Sequence, residues 1–197
     1  MGFWSKLFGV KKNREFSPSK SPYLPEEKGE IEIVFAEKFT KKGGKFIYSE
    51  NLESTHKFFQ LIIEENQWKT EDILCFDPQL SQRFGLESPP NTFDPHHYKA
   101  LLMGCEYLVA NIGNLLVCQH QIKDFKLEEL PDFFIVFSSL DRFVADVSEG
   151  MSELKKRYVN PLPTNITTLN VKNVNDENDF LSYGNSAKNL YLILQEN

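Results

Sequence analysis

The sequence contains only three cysteines, Cys75, Cys105 and Cys118, and none of them belongs to a Cys-x-x-Cys pair. An iron–sulfur cluster of the usual kind needs four closely spaced thiolates, so the chain does not supply a cluster site of its own. Each cysteine lies in or beside an apolar, strand-like run, which predicts buried, reduced thiols. We expect neither a metal site nor a cofactor.

Long apolar runs and excess positive charge are also lacking. No stretch of 18 apolar residues exists, and the first residues lack the apolar core and cleavage site of a signal peptide. We therefore expect a cytoplasmic protein without a transmembrane segment. The net charge of −6 and the pI near 5.3 argue against nucleic-acid binding through phosphate contacts.

Charge is nevertheless distributed unevenly, and this suggests the domain organisation. Residues 1–20 carry +4 and the rest of the chain carries −10. Because residues 15–29 are rich in Ser, Pro and charge, we assign 1–29 to a tail with a linker and 30–197 to one domain. Apolar residues at positions 3, 4, 7 and 8 could form a short helix that binds weakly to a membrane through residues 1–14. A frayed tail that binds nothing fits these residues equally well.

Three apolar runs form the predicted centre of a sheet. Residues 107–110 and 115–118 flank the sequence Asn-Ile-Gly-Asn at 111–114, and this pattern predicts a hairpin because Asn and Gly tolerate positive φ. Residues 133–137 are wholly apolar, as expected of a strand that is covered on both faces. We expect these strands at the middle of the sheet.

Further helices and strands alternate along the chain, which favours an α/β domain with a largely parallel sheet and one antiparallel hairpin. Gly43-Gly44 is predicted to cap the first helix. Helices are predicted at residues 30–42, 52–65, 97–103 and 142–158. Strands are predicted at 45–48, 73–76, 166–171 and 190–194, and loops at 78–95 and 173–179.

No strong catalytic signature is present. The sequence has no Gly-x-Gly-x-x-Gly, no phosphate loop, no Gly-x-Ser-x-Gly and no His-Glu-x-x-His. Whether the protein is an enzyme stays open, and no catalytic residue is assigned. Adjacent histidines rarely chelate one metal together, so His96-His97 is interpreted as a surface pair.

One polar run could contribute to a binding site. Thr164, Asn165, Thr167 and Thr168 precede or enter a predicted strand, and their hydroxyls and amide could bind a phosphate or carboxylate. Threonine that alternates with Ile and Leu is also typical of an ordinary edge strand. The sequence leaves both interpretations open.

Four segments, in order, resemble the LUD domain of the lactate utilization protein B/C family. They are residues 104–116, residues 131–136, the Pro-Thr run at 163 and residues 189–194. In that family a Gly-x-x-x-Ala-Glu-Thr-Gly-Thr-like segment opens onto an apolar strand. Leu-Pro and a second strand follow, then a Gly-Pro-Ser-Arg-Thr-Ala-Asp-Ile motif, and Gly-x-His-Gly-Pro-Arg precedes a final strand. The resemblance spans roughly residues 31–195 and implies a three-layer α/β/α sandwich similar to the sugar-phosphate isomerase and CoA transferase-like folds.

The polar positions of these motifs differ from the family pattern. Residues 111–114 stand where the family has Glu-Thr-Gly-Thr, and only the glycine is kept. Residues 163–169 keep the proline, a hydroxyl and the final aliphatic residue, whereas residues 185–188 keep only the basic residue. The resemblance implies a small anionic ligand near six candidate residues: Asn111, Gly113, Asn114, Thr164, Asn165 and Lys188.

The resemblance also implies a role. The chain would be a small, cluster-free accessory component of lactate utilization, in which iron–sulfur partner proteins oxidise L-lactate to pyruvate. The alternative is an enzyme or ligand-binding protein that acts on a sugar phosphate, a nucleotide or an acyl-CoA. For that alternative the candidate acid–base residues are Glu106, His96 and His97.

Overall fold

Strand β9 (Ala187–Gln195) is the central element of the sheet in the computed structural model, which describes residues 30–172 and 187–196. It pairs in parallel with β6 (Phe133–Ser139) over residues 189–195. It also pairs in parallel with β1 (Lys45–Ser49) over residues 191–195 and with β8 (Thr167–Val171) at residues 187–188. Strand β9 therefore aligns three other strands, β1, β6 and β8.

The remaining described strands extend this sheet on both sides. They are β2 (Ile73–Cys75), β3 (Ala100–Met103), β4 (Tyr107–Val109), β5 (Asn114–Val117) and β7 (Phe143–Val144). The order is β2-β3-β6-β9-β8-β5-β4-β7, with β1 joined to β9. The β4–β5 and β5–β8 pairs are antiparallel and the other described pairs are parallel. The predicted mostly parallel α/β fold and its hairpin are confirmed, but the hairpin lies towards one end of the sheet.

Helices cover both faces of the sheet. Buried Phe134 and Val136 of β6 belong to the same core as Phe35 and Phe39 of the first helix, whereas Ile135 belongs to a second core. Because successive strand residues face opposite sides, the two cores lie on opposite faces of β6. The described α-helices are α1 (Ile31–Lys41), α2 (Leu52–Glu65), α3 (Pro78–Phe84), α4 (Gln119–Ile122) and α5 (Val147–Arg157).

The outer helices pack against separate parts of the sheet. Phe59 of α2 and Phe84 of α3 lie in the second core with β2, β3, β6 and β9. Leu154 of α5 lies in a third core with Tyr107 of β4 and Leu116 of β5. Helix α2 has the predicted bounds, and a capping box between Asn51 and Ser54 satisfies its first backbone amides. This is the layered α/β arrangement that the sequence predicted.

Two predicted helices are wrong in whole or in part. Residues 100–103, predicted as helix, form strand β3, and all four side chains are buried between β2 and β6. A strand that is covered on both faces lacks the alternation of apolar and polar residues that identifies a half-buried strand. Periodicity alone therefore cannot distinguish such a run from a buried helix. The helix predicted from residue 142 begins at Val147, because Phe143–Val144 pair with β4 as β7 and the Asp146 carboxylate caps the helix.

Helix α3 lies in a segment that was predicted as loop. The Asp77 side chain accepts hydrogen bonds from the backbone of Gln79 and Leu80, and Pro78 occupies the first turn. Asp followed by Pro is a helix start signal as well as a turn signal. The predicted cap of α1 is confirmed, since Gly43 has a φ of 103°.

Several predictions lie outside the described residues. These are the tail and membrane-binding helix in residues 1–29, the loop at 173–179 and the motif position at 185–186. The proposed domain boundary at residue 30 stays a prediction. In the described part of the chain, no helix has both the length and the apolarity required to cross a membrane.

The turn between β4 and β5 provides a test of how α1 docks. Gly113 has a φ of 62°, and a Cβ there would lie 2.7 Å from the Phe39 backbone nitrogen. We expect Gly113→Ala to lower the free energy of unfolding by about 2–5 kcal/mol, from left-handed backbone strain plus overpacking. Urea denaturation followed by circular dichroism measures the loss.

Gly85→Ala is the matched control for this change. Gly85 has a similar φ of 66°, but nothing lies within 4 Å of a Cβ built there. Its substitution should cost only the backbone strain, about 1–2 kcal/mol. Equal losses in the two variants would contradict a close contact between Gly113 and α1.

Candidate functional site

Lysines at the end of α1 contact the turn between β4 and β5. The Lys38 Nζ donates a hydrogen bond to the Asn111 carbonyl oxygen at 2.5 Å. The Lys42 Nζ donates to the Ile112 carbonyl oxygen and to Asn114 Oδ1, both at 2.6 Å. The Asn114 amide also contacts the Asn170 side chain on β8. These bonds join the first helix to the hairpin.

A cavity of about 350 Å³ opens beside these contacts. We call it the basic pocket; it is lined by Lys38, Lys41, Lys42, Asn111 and Ile112. Burial, and then the charge of Lys38, lower the pKa of Lys42 from its usual value. Since none of these described lining residues carries a carboxylate, they concentrate positive charge in a chain whose net charge is −6.

The structure brings three of the six predicted ligand-binding residues together at this place. Asn111 lines the basic pocket, Gly113 lies against α1, and Asn114 binds Lys42. Thr164 lies at the other end of β5, where its carbonyl oxygen accepts from the Gln119 backbone and its hydroxyl contacts the Gln119 side chain. Asn165 donates to the carbonyl oxygens of residues 123 and 125.

Lys188, the sixth predicted residue, is buried and faces a different region. Its Nζ donates to the Leu130 carbonyl oxygen at 2.9 Å and lies 3.8 Å from the Asp132 carboxylate. Burial lowers its pKa, and the Asp132 charge partly opposes that shift. Its neighbour Ala187 pairs with Asn170, so Lys188 points to the opposite face of the sheet from the Asn170 and Asn114 side chains.

A second polar site surrounds a buried carboxylate, Glu106, which precedes β4 and is only 3% exposed. Its Oε2 accepts from Arg157 Nη1 at 3.2 Å, and its Oε1 accepts from Gln121 Nε2 at 2.9 Å. Tyr158 also donates to this carboxylate. We call this group the Glu106 cluster; it comprises Glu106, Cys118, His120, Gln121, Arg157 and Tyr158.

Hydrogen bonds and charge determine the protonation of this cluster. Burial alone would raise the pKa of Glu106, but hydrogen bonds from Gln121 and Cys118 and the charge of Arg157 hold that pKa below its usual value. Burial raises the pKa of the Cys118 thiol to about 12, with a contribution from the Glu106 charge. A carboxylate thus accepts a hydrogen bond from a neutral thiol, with Sγ and Oε1 3.3 Å apart.

A third site lies at the carboxyl ends of β2, β3 and β6, where parallel sheets commonly bind ligands. We call this cavity of about 270 Å³ the strand-end pocket; it is lined by Asp77, Gln79, Leu80, Arg83, Gly104, Cys105, Phe137, Ser138, Ser139 and Arg142. The Arg83 guanidinium lies 5.0 Å from the centre of the Phe137 ring. The Arg142 guanidinium lies 3.6 Å from Asp141. The pocket lining therefore combines two arginines and the Asp77 carboxylate with the hydroxyl groups of Ser138 and Ser139.

His96 and His97 are both exposed, which confirms the predicted surface pair. The sequence analysis did not identify Lys38, Lys41 and Lys42, although their i, i+3, i+4 spacing places them on one side of a helix. The strand pairing of the predicted hairpin could have indicated that Glu106 lies near Cys118, because in the structure the Glu106 backbone N–H donates a hydrogen bond to the Leu116 carbonyl oxygen. Arg157 and Tyr158 come from a distant helix, so local pattern alone carried no signal for them.

Comparisons with known proteins support the fold. Neither a protein-family model nor a curated protein sequence matches this chain. Among solved structures, the chain is similar to a DUF162 family protein from Deinococcus radiodurans, whose crystal structure was determined at 1.70 Å resolution. The two share 14% sequence identity with a TM-score of 0.59, over 84% of this chain and 96% of that chain. Likeness at this level of identity shows a common fold alone.

Removal of the negative charge of Glu106 should lower the stability of the protein. Glu106→Gln removes the charge-assisted hydrogen bond with Arg157 and presents an amide N–H to surrounding donors. We expect the free energy of unfolding at neutral pH to fall by roughly 1–3 kcal/mol. Chemical denaturation measures this change.

Glu153→Gln serves as the control, because the exposed Glu153–Lys156 ion pair lies on α5, the helix that also carries Arg157. Its loss should change stability by about 0–1 kcal/mol. If Glu106→Gln were no more destabilising than Glu153→Gln, the buried carboxylate would not anchor the end of α5.

Proposed function

We propose that this chain is a LUD-domain protein that binds a small organic anion in the basic pocket, as an accessory component of lactate utilization beside iron–sulfur proteins that oxidise L-lactate to pyruvate. The observation that carries the anion-binding proposal is the convergence of Lys38, Lys41 and Lys42 on one cavity, where the lining formed by residues 30–172 and 187–196 contains no carboxylate. The lactate-specific role rests on the family resemblance.

The electrostatics of the pocket favour an anion. Lys42 is partly buried, and both its burial and the nearby Lys38 ammonium disfavour its charged form. Within the part of the chain that the structure describes, the hydrogen-bond partners of the Lys38 and Lys42 ammonium groups are backbone carbonyl and amide oxygens, which carry no net charge. A bound carboxylate would supply the missing negative charge and stabilise all three ammonium groups.

The family resemblance supports the same location. DUF162 is the LUD-domain family, and the structurally similar protein belongs to it. In the LUD-domain motif that residues 104–116 resemble, a glutamate stands at the position of Asn111. A glutamate there would itself neutralise the neighbouring lysines, so its replacement by a neutral asparagine leaves their charge available to a ligand.

The size of the pocket favours a small acid. A volume of about 350 Å³ is at the lower end of the usual range for ligand cavities. Lactate and pyruvate each have one carboxylate, whereas nucleotides and acyl-CoA esters are much larger. The described lining residues are lysine, asparagine and isoleucine, none of which accepts electrons, so the proposal assigns lactate oxidation to iron–sulfur partners.

A second candidate function is binding or conversion of a sugar phosphate, nucleotide or acyl-CoA in the strand-end pocket. The observation that favours it is the presence of Arg83 and Arg142 at the carboxyl ends of three parallel strands. Guanidinium groups bind phosphate and carboxylate in a bidentate manner. The two candidates use different residues and can be distinguished by substitution.

A ligand screen tests both candidates. We expect L-lactate or pyruvate to raise the thermal midpoint of the full chain, because a ligand that binds only the folded state stabilises it by mass action.

Lys41 makes no side-chain hydrogen bond or ion pair with residues 30–172 or 187–196, so Lys41→Gln tests binding without disturbing the turn. We expect it to weaken affinity by about tenfold or more, the effect of one charged hydrogen bond. Asn111→Glu should weaken binding further by supplying an internal carboxylate.

The exposed Lys57 on α2 provides the matched control, since Lys57→Gln removes the same charge outside the pocket. A bound anion favours charged Lys42, so affinity should fall as pH rises through the lowered Lys42 pKa towards 10.5. Unchanged midpoint shifts in Lys41→Gln and Asn111→Glu would refute binding in the basic pocket. A shift with phosphate-bearing ligands that is lost in Arg83→Gln would instead support the strand-end pocket.

The partner proposal has its own test. Affinity-tagged full-length protein, expressed in its native host grown on lactate, should recover proteins that contain iron and acid-labile sulfide. The same purification without the tagged protein is the control. Recovery of no cluster-bearing protein would count against the accessory role while leaving anion binding intact.

A further inference from the structure

Three potential metal ligands meet in the Glu106 cluster. The Glu106 carboxylate, the Cys118 thiol and a His120 ring nitrogen lie within 4.8 Å of one another. Glu106 Oε1 is the shared atom, 3.3 Å from Cys118 Sγ and 3.6 Å from His120 Nδ1. Neither the proposed anion site nor the strand-end pocket uses these three groups together.

These separations resemble the edges of a small coordination tetrahedron. Zinc binds sulfur at about 2.3 Å and nitrogen or oxygen at about 2.0–2.1 Å. A tetrahedron with those bond lengths has a sulfur–oxygen edge of about 3.5 Å and a nitrogen–oxygen edge of about 3.3 Å. The two distances from Oε1 therefore differ from a zinc-like arrangement by only a few tenths of an ångström.

We propose that Glu106, Cys118 and His120 bind one divalent transition-metal ion of the zinc class, with the fourth coordination position open to water or to the Tyr158 hydroxyl. Thiolate, imidazole and carboxylate together match the ligand preference of zinc, whereas magnesium and calcium prefer oxygen ligands alone. The site has an entry route, because His120 is 43% exposed while Glu106 and Cys118 are buried.

The surrounding side chains complete the site. Arg157 binds Oε2 and Gln121 donates to Oε1, so both orient the carboxylate. The Tyr158 hydroxyl lies 3.2 Å from His120 Nδ1 and from Oε1, close to the fourth position. Such supporting contacts fix ligand geometry in metal sites.

Binding exchanges a proton for the metal without oxidation or reduction. The Cys118 S–H that now donates to Oε1 loses its proton to solvent, and the sulfur lone pair forms the metal bond. The metal then lies between the sulfur and the carboxylate in place of that proton. The two anionic ligands balance the charge of a divalent ion.

Cobalt titration of the full chain tests the site in buffer with a non-thiol reductant. We expect one equivalent of Co²⁺ to produce a thiolate-to-cobalt charge-transfer band in the near ultraviolet and the visible bands of tetrahedral cobalt. One equivalent of Zn²⁺ should abolish both. Cys118→Ser should lose the charge-transfer band, whereas Cys75→Ser, which changes a buried cysteine in β2, should keep it.

His120→Asn provides an independent variant, because the imidazole is partly exposed and its change should leave the thermal midpoint of the metal-free protein near that of wild type. We expect it to weaken zinc affinity by more than about 100-fold, beyond the usual effect of a supporting contact. The absence of a charge-transfer band in the wild type, or the same band in Cys118→Ser, would overturn the proposal. Wild-type zinc affinity in His120→Asn would also overturn it.

Discussion

The structure depends on the burial of β9. Leu190, Leu192 and Leu194 lie in one core, and Tyr191 and Ile193 lie in another. Fully burying an aliphatic side chain of this size contributes about 1.5–3 kcal/mol, so both faces of the strand stabilise its position. A slip of one residue would exchange the two sets. The Tyr191 hydroxyl opposes such a slip, because it accepts hydrogen bonds from Lys45 and Asn66.

Strand β5 connects the central strand β9 to two of the candidate sites. It is joined to β9 through β8, and Asn114 at its start contacts the basic pocket. Cys118, directly after its end, belongs to the Glu106 cluster. Each site is completed by a helix that packs on the sheet: α1 is held by buried Phe35 and Phe39, and α5 by Leu154. The charged groups are thus positioned by apolar contacts several residues away.

The sequence predicted the framework better than the sites, for physical reasons. Residues 107–118 and 133–137 carry their strand signals locally, in apolar runs and in an Asn- and Gly-containing turn. Buried β3 carried no periodic signal and was predicted as helix. Asn111, Gly113 and Asn114 were found because the turn itself is a motif, whereas their lysine partners lie about 70 residues earlier in the chain. Thr164 and Lys188 were grouped with them by family order, but strand pairing separates them.

The two proposed sites on β5 should behave independently. Asn114 and Cys118 are four residues apart on an extended segment, which corresponds to roughly 13 Å. Substitutions separated by more than about 7–10 Å without shared partners are usually additive. Among the described residues, Lys42 and Glu106 have no hydrogen-bond partner in common. A variant that neutralises the basic pocket should therefore leave metal binding unchanged, and loss of the Cys118 thiol should leave anion binding unchanged. If one change altered both, β5 would couple the sites, and ligand and metal would act on one conformational equilibrium.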